Sequence, residues 1–185
     1  RPASVVKELL ENALDAGADT IRIETSAGGM DSISVFDNGH GIPRGEILLV
    51  FTRFATSKVK SESDLESISS LGFRGEAMYS IASVSEVELE TSVSQSGIGS
   101  RIIIKNGDIV EQTDSPPIRG TRVKVLKLFE NFPARKKFLK SDAAESGRIH
   151  RLVQRYAMIR PDVSFELIQG HARPFSTLGK SDVGE

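Results

Sequence analysis

The apolar side chains of this chain follow two periods that separate helices from strands. Six apolar residues between Val5 and Leu14 recur at about 100° per residue, which predicts an amphipathic helix over 3–16. Helical patterns also occur near 43–51, at 75–83 and near 142–159. Alternation of apolar and polar residues predicts strands near 20–25, 32–37, 86–93, 100–105, 108–113, 120–127 and 163–168.

The connections between these elements indicate the architecture. Turn signals at 97–99 and at Asn106-Gly107 join the middle strands, so this part predicts an antiparallel meander. The helices cluster at three places along the chain. We therefore expect an α+β fold, a two-layer α/β sandwich in which one mixed, mostly antiparallel sheet carries helices on one face. The polar stretch over 52–74 is too long for a simple connection, and loops of this length are commonly lids or disordered segments, of which we expect a lid.

The first candidate site segment, ELLENALDAG, lies in the first predicted helix. Glu8, Glu11, Asn12 and Asp15 share the arc opposite the apolar residues, and Glu8 and Asn12 stack one turn apart. Asparagine is a poor residue for a helix interior, so a metal or ligand contact would explain it. A solvated helix face is the competing interpretation.

The second segment, DNGHGIP, follows a predicted strand that ends at Asp37. Gly39 and Gly41 allow a close backbone approach, and a carboxylate at the strand end can accept a hydrogen bond from the amino group of a flat heterocycle. An ordinary Asn-Gly turn is the alternative. The glycine spacing does not fit the dinucleotide-binding fingerprint.

The third segment, LGFRGEA, places glycines and Arg74 before a short helical pattern. Free N–H groups at such a turn, together with an arginine, favour phosphate oxygens. A flexible loop followed by a helix is the alternative. The phosphate-loop consensus Gly-x-x-x-x-Gly-Lys-Ser/Thr is absent, because the Gly-Lys-Ser at 179–181 has Pro174 where the first glycine of the consensus would stand.

The composition excludes several classes of protein. The chain has 185 residues, is 38% hydrophobic and 26% charged, and contains no cysteine, which excludes disulfides and thiolate metal sites. The longest run of aliphatic and aromatic residues is the short segment 47–51, so we expect no membrane span. A soluble, intracellular protein is the default expectation.

Charge is distributed unevenly along the chain. Residues 1–96 carry 8 basic and 15 acidic side chains, whereas residues 97–185 carry 16 and 10. The second half could therefore contact a polyanion through 135–137, Arg148, Arg151 and Arg155, although a solvated helix face is the alternative. Because few aromatic residues accompany these cations, we expect salt-sensitive contacts to a nucleic-acid backbone rather than base stacking.

The motifs together resemble the N-terminal ATPase domain of MutL-type DNA mismatch repair proteins, a member of the GHKL group. The glutamate-to-asparagine spacing and DNGHGI are features of the whole group. RPASVVKEL, ATSK, LGFRGEA and LFENFPARKKFL narrow the resemblance to MutL. It covers residues 1–185 as one domain, and it implies that about twenty preceding residues and a following domain are missing.

The resemblance implies a role for each matching position. Glu8 matches the general base for the water that attacks the γ-phosphate, and Asn12 matches the ligand of Mg²⁺. Asp37 matches the acceptor for the adenine amino group. Gly39 and Gly41 match the turn against the base. Thr121 matches a residue on the adenine side of the pocket. The segments that wrap the phosphates in the family are matched here by Thr56, Ser57, Lys58, Gly72, Phe73, Arg74, Gly75, Glu76 and Ala77.

The implied function is ATP binding and slow Mg²⁺-dependent hydrolysis that drives lid closure and dimerisation. The isolated chain is expected to be weakly active or inactive. The implied partners are ATP, DNA, a second copy or paralogue, and a mismatch-recognition protein, in the cytoplasm of a prokaryote or the nucleus of a eukaryote. A non-hydrolysing nucleotide sensor of the same fold is the alternative. The chain shows neither a phosphorylatable histidine module nor a client-binding region, which argues against a kinase or a chaperone.

Overall fold

The computed structural model describes residues 1–52, 76–94 and 97–179. The helices in these ranges are α1 (Pro2–Asp15), α2 (Ala77–Ala82), α3 (Pro133–Lys137) and α4 (Asp142–Ile159). The strands are β1 (Thr20–Ser26), β2 (Ser32–Asp37), β3 (Glu86–Ser92), β4 (Gly99–Lys105), β5 (Asp108–Ser115), β6 (Gly120–Leu126), β7 (Ser164–Gln169) and β8 (Ala172–Ser176). None of these helices combines the length and apolar character needed to cross a bilayer.

The described strands form one sheet in the order β5-β4-β3-β6-β2-β1-β7-β8. β1 and β7 run parallel, and every other neighbouring pair is antiparallel. At the turn between β4 and β5, Asn106 and Gly107 have φ angles of 52° and 92°, as a two-residue hairpin turn requires. The predicted mixed, mostly antiparallel sheet is confirmed.

The two faces of the sheet differ because side chains alternate along each strand. On the helix-covered face, Val35, Val123 and Leu89 lie side by side on β2, β6 and β3, and all three are buried. On the other face, Glu90 lies between Arg122 and Arg101, with ion-pair distances of 3.2 and 3.8 Å. This contrast confirms the two-layer arrangement.

Helix α1 packs against the sheet and also against α4. This second contact corrects the expectation that Glu11 lies on an exposed polar arc. Glu11 does not lie on a free polar arc, since it is only 7% exposed. Its carboxylate accepts hydrogen bonds from the Tyr156 hydroxyl at 2.7 Å and from the Lys7 ammonium at 2.9 Å. A buried carboxylate needs such donors to offset its lost hydration. Glu11 therefore holds α1 against α4.

Three further elements differ from the expectation. The segment predicted as a helix near 43–51 forms two short 3-10 turns, Arg44–Glu46 and Leu49–Phe51. Pro43 and Gly45 disfavour a longer helix at its start, and Ile47 is fully buried whereas Leu48 and Leu49 are exposed. The strand β8 and the helix α3 were not predicted. β8 contains Pro174 and lies at the sheet edge, where proline is tolerated.

The contact between α1 and α4 can be tested with Tyr156→Phe. Because this change removes one hydrogen bond to a buried carboxylate, we expect the free energy of unfolding to fall by about 1 to 2 kcal/mol. Urea denaturation measures the effect. The matched control is Tyr79→Phe, at a tyrosine that is 39% exposed, and it should change the midpoint little. Equal effects of the two variants would contradict the role given to Tyr156.

Candidate functional site

A row of polar residues crosses the helix-covered face at one end of the sheet. Asp37 on β2 lies directly opposite Thr121 on β6, which in turn lies opposite Thr91 on β3. Residues that are directly paired share a face, so the three side chains are neighbours. They are 6%, 7% and 1% exposed, respectively. We call Asp37, Thr121 and Thr91 the polar row.

The loop after β2 is held by its neighbours at successive residues. The Asn38 side-chain oxygen accepts hydrogen bonds from the backbone amides of Asp19 and Thr20, both at 3.0 Å, and its amide nitrogen donates to the Asp19 carboxylate at 2.6 Å. The His40 amide donates to the Ala16 carbonyl at 3.0 Å. Since β2 pairs with β1 and β6 and not with β3, the strand that follows it, this loop does not connect a β-hairpin.

Two glycines allow the loop to approach the neighbouring strands. Gly41 is buried with a φ of 71°, and a Cβ there would overlap the carbonyl oxygen of Ser92 on β3. Gly120, with a φ of 88°, lies so close to Asp37 that a Cβ would overlap the Asp37 carbonyl oxygen. A larger residue at either position would displace the backbone beside the polar row.

The Asp37 carboxylate is the main electrostatic feature of the row. Burial raises the pKa of Asp37 to about 6, although hydrogen bonds from the backbone amides of Gly39 and Thr121 act in the opposite direction. The Gly39 amide donates to the Asp37 carboxylate at 2.9 Å. The pKa remains high because these amides offset only part of the lost hydration. A further donor from a ligand would stabilise the ionised form.

The structure places the other predicted residues along the neighbouring helices. Glu8 and Asn12 are half-buried on α1, and the end of that helix contacts the loop through Ala16. With a rise of 1.5 Å per residue, Asn12 lies about 6 Å and Glu8 about 12 Å along the axis from Ala16. Glu76 and Ala77 are half-buried at the start of α2.

The structure thus brings Asp37, Gly39, Gly41 and Thr121 together and sets Asn12 and Glu8 on the adjoining helix. The remaining predicted residues lie outside the described ranges: Thr56, Ser57, Lys58, Gly72, Phe73, Arg74 and Gly75. The assignments of these seven residues therefore stay predictions.

Sequence reasoning missed Thr91, which lies at the centre of the site. A signal was present, since the alternation in EVELETS points Val87, Leu89 and Thr91 to the same face. A hydroxyl at an inward-facing position of a strand calls for a hydrogen-bond partner, and at Thr91 the structure supplies several.

Comparisons with known proteins agree with this geometry. Residues 1–130 match the family model for histidine kinase-, DNA gyrase B- and HSP90-like ATPases. The chain belongs to this ATPase family. Among curated relatives, it is 48% identical over 168 residues to DNA mismatch repair protein MutL of Chlorobium phaeovibrioides, and 46% identical over 183 residues to that of Bacillus anthracis.

These alignments cover 91% and 99% of the chain but only 27% and 29% of the two relatives. Among solved structures, the MutL ATPase domain of Aquifex aeolicus complexed with ADP matches with a TM-score of 0.79 and 31% identity. That match covers 98% of this chain and 65% of the other. The resemblance to MutL-type GHKL ATPase domains is confirmed, and with it the fold class.

The donor set on α1 fits the implied magnesium ion. The described residues contain no group of three or more histidine, cysteine, aspartate or glutamate side chains suited to a metal. Mg²⁺ does not require such a group, because it keeps several waters and is commonly held by one or two protein oxygens together with substrate phosphates. The half-buried carboxamide oxygen of Asn12 suits that mode.

The raised pKa of Asp37 gives a pH test. Below about pH 6 the carboxyl becomes protonated and accepts a hydrogen bond from a base amino group less well. We expect ADP affinity to fall by up to about tenfold per pH unit below pH 6. Calorimetric titration between pH 5 and 8 measures this change.

Stability should respond in the opposite sense. The folded pKa of Asp37 is raised above the unfolded value of 3.8, so its contribution to the free energy of unfolding increases as the pH falls through 6. Asp37→Asn is the control, since it removes the titrating group and should flatten both profiles near pH 6. An unchanged binding profile in Asp37→Asn would contradict the assignment.

Proposed function

We propose that this chain binds ATP with the adenine at Asp37 and hydrolyses it slowly in a Mg²⁺-dependent reaction. The observation that carries the proposal is the buried Asp37 carboxylate, which keeps a raised pKa beside a loop fixed by its neighbours. Membership of the ATPase family and similarity to a MutL ATPase domain complexed with ADP support the same ligand.

The base end of the site recognises the nucleotide. An ionised carboxylate only accepts hydrogen bonds, so Asp37 selects an amino group on the base edge. Gly41 and Gly120 keep the backbone free of side chains at the positions where loop and strands meet. In this proposal the base lies beside the polar row, against the Asp37 carboxylate.

The phosphate end lies toward the start of α1. In this proposal the carboxamide oxygen of Asn12 holds Mg²⁺, which when bound offsets the negative charge that develops on the phosphate oxygens. The carboxylate of Glu8 orients the attacking water and accepts its proton. The two side chains follow one another along the helix, as a ligand extending away from Asp37 requires.

Further consequences concern the whole protein. We propose that nucleotide binding closes the lid expected over 52–74, of which all but residue 52 lies outside the described residues. Closure would promote dimerisation with a second copy or a paralogue in DNA mismatch repair, together with a mismatch-recognition protein. The name of the curated relatives supports this assignment. An intracellular location follows from such a role.

Glu8→Gln tests the catalytic assignment. Because the amide cannot accept the proton, we expect single-turnover hydrolysis by the full-length protein to slow by about 10² to 10⁴ while nucleotide affinity changes little. Glu46→Gln is the matched control at an exposed glutamate and should hydrolyse ATP normally.

Equal hydrolysis rates for wild type and Glu8→Gln would remove Glu8 from the catalytic role, whereas a wild type that binds ATP without hydrolysing it would favour the non-hydrolysing sensor. Asn12→Ala complements this test at the same helix. It should abolish the Mg²⁺ dependence of nucleotide binding and leave the fold intact, because its side chain is not part of the buried core. Retained Mg²⁺ dependence would contradict the assignment of Asn12.

We also propose that the basic second half contacts the DNA backbone. Arg151 and Arg155 are exposed one turn apart on α4, and the three basic residues 135–137 are exposed on α3. Arg148 contributes less than expected, because it pairs with the buried Glu145 carboxylate at 2.6 Å.

Salt dependence tests the DNA contact. We expect the affinity of the full-length protein for duplex DNA to fall steeply with salt, and replacing both Arg151 and Arg155 with alanine to reduce the slope of log K against log salt by about 1 to 2. Arg173→Ala, at an arginine paired with Glu166, is the control. A slope that is unchanged in the double variant would exclude this helix face.

A further inference from the structure

The Thr91 hydroxyl joins β3 to the loop after β2 and to the start of β6. It accepts a hydrogen bond from the Ile42 amide at 2.9 Å, and it lies 3.1 Å from the Gly120 carbonyl oxygen and 3.0 Å from the Thr121 hydroxyl oxygen. The residue is 1% exposed, so water does not compete for these contacts. The loop after β2, the start of β6 and the polar row therefore meet at one side chain.

Counting protons fixes the direction of each hydrogen bond. A hydroxyl has one proton and two lone pairs, and the Ile42 amide occupies one lone pair of Thr91. The Gly120 carbonyl only accepts, so that contact takes the Thr91 proton. Thr121 must then donate its own proton to the second lone pair of Thr91. Only this arrangement satisfies all three contacts at once.

The consequence concerns the base edge. Thr121 lies directly opposite Asp37, where side chains on paired strands are about 4.5 to 5.5 Å apart at Cβ. If its proton were not directed to Thr91, the Thr121 hydroxyl would turn toward the buried carboxylate, which is the strongest acceptor nearby. That hydrogen bond would occupy the acceptor needed by the ligand.

We propose that Thr91 is a positioning residue for base recognition, which holds the Thr121 proton away from Asp37 so that the base edge meets two acceptors. This inference rests on the proposed function and deepens it. Two acceptors favour a base with an amino group, such as adenine. They disfavour a base with a carbonyl oxygen at the same position, because that oxygen would face the Asp37 carboxylate and the Thr121 hydroxyl oxygen with no proton between them.

The experiment compares ADP with purine riboside diphosphate, which lacks the amino group, in the full-length protein. Thr91→Val keeps the shape and removes the hydroxyl. We expect it to weaken ADP about tenfold and purine riboside diphosphate by less than about twofold. Thr91→Ser should restore the preference for ADP, since it restores the hydroxyl.

The matched control is Thr25→Val on β1. Thr25 is 5% exposed, and its hydroxyl has no hydrogen-bond partner within the described part of the chain. This variant should bind both ligands as the wild type does. If Thr91→Val does not fold, as judged by circular dichroism, Thr91→Cys replaces it, because a thiol is a weak donor and should lose part of the preference for ADP.

The outcomes separate this inference from the proposed function. If Thr91→Val weakens both ligands equally, Thr91 only holds the loop and the inference is overturned. If the wild type prefers ADP and Thr91→Val keeps that preference, the inference fails while base recognition by Asp37 stands. If the wild type binds both ligands equally, recognition at Asp37 fails and the role of Thr91 falls with it.

Discussion

The burial of one carboxylate sets the chemistry of the site. Ionised groups are costly to remove from water, and the raised pKa of Asp37 indicates that the surrounding amides do not fully offset this cost. A residue selected for stability alone would be apolar here, as Val35 is two positions earlier on the same face. Because the Asp37 carboxylate can accept a further hydrogen bond, this strand end is suited to binding a base that carries an amino group.

The remaining contacts keep that carboxylate in place relative to α1. The loop after Asp37 is joined to the end of α1 by the hydrogen bond between His40 and Ala16. Further toward its start, α1 is held against α4 by the hydrogen bond from Tyr156 to Glu11. Because α1 is thus held at two places, Glu8 and Asn12 are carried by a helix that is anchored to the loop after Asp37 and to α4, as a functional site built on regular elements requires.

The sequence was sufficient for features that depend on local period and backbone chemistry. The alternation around Val35 identified β2, the spacing of Leu9, Leu10 and Ala13 identified α1, and Asn106-Gly107 marked a hairpin. It was not sufficient where the burial of a side chain depends on a partner that is distant in the sequence. Glu11 looks solvent-exposed on a helical wheel, and only its contact with Tyr156, 145 residues away, shows why it is buried.

The polar row shows the same limit of sequence-based prediction and what further information reduces it. Asp37, Thr91 and Thr121 each occupy an inward-facing position where alternation calls for an apolar residue, so each exception is visible in the sequence. Their adjacency is not visible, because strand register is set by pairing between segments far apart in the chain. Once register is known, exceptions that coincide at one end of a sheet indicate a site, since most buried polar groups bind each other, the backbone, water or a ligand.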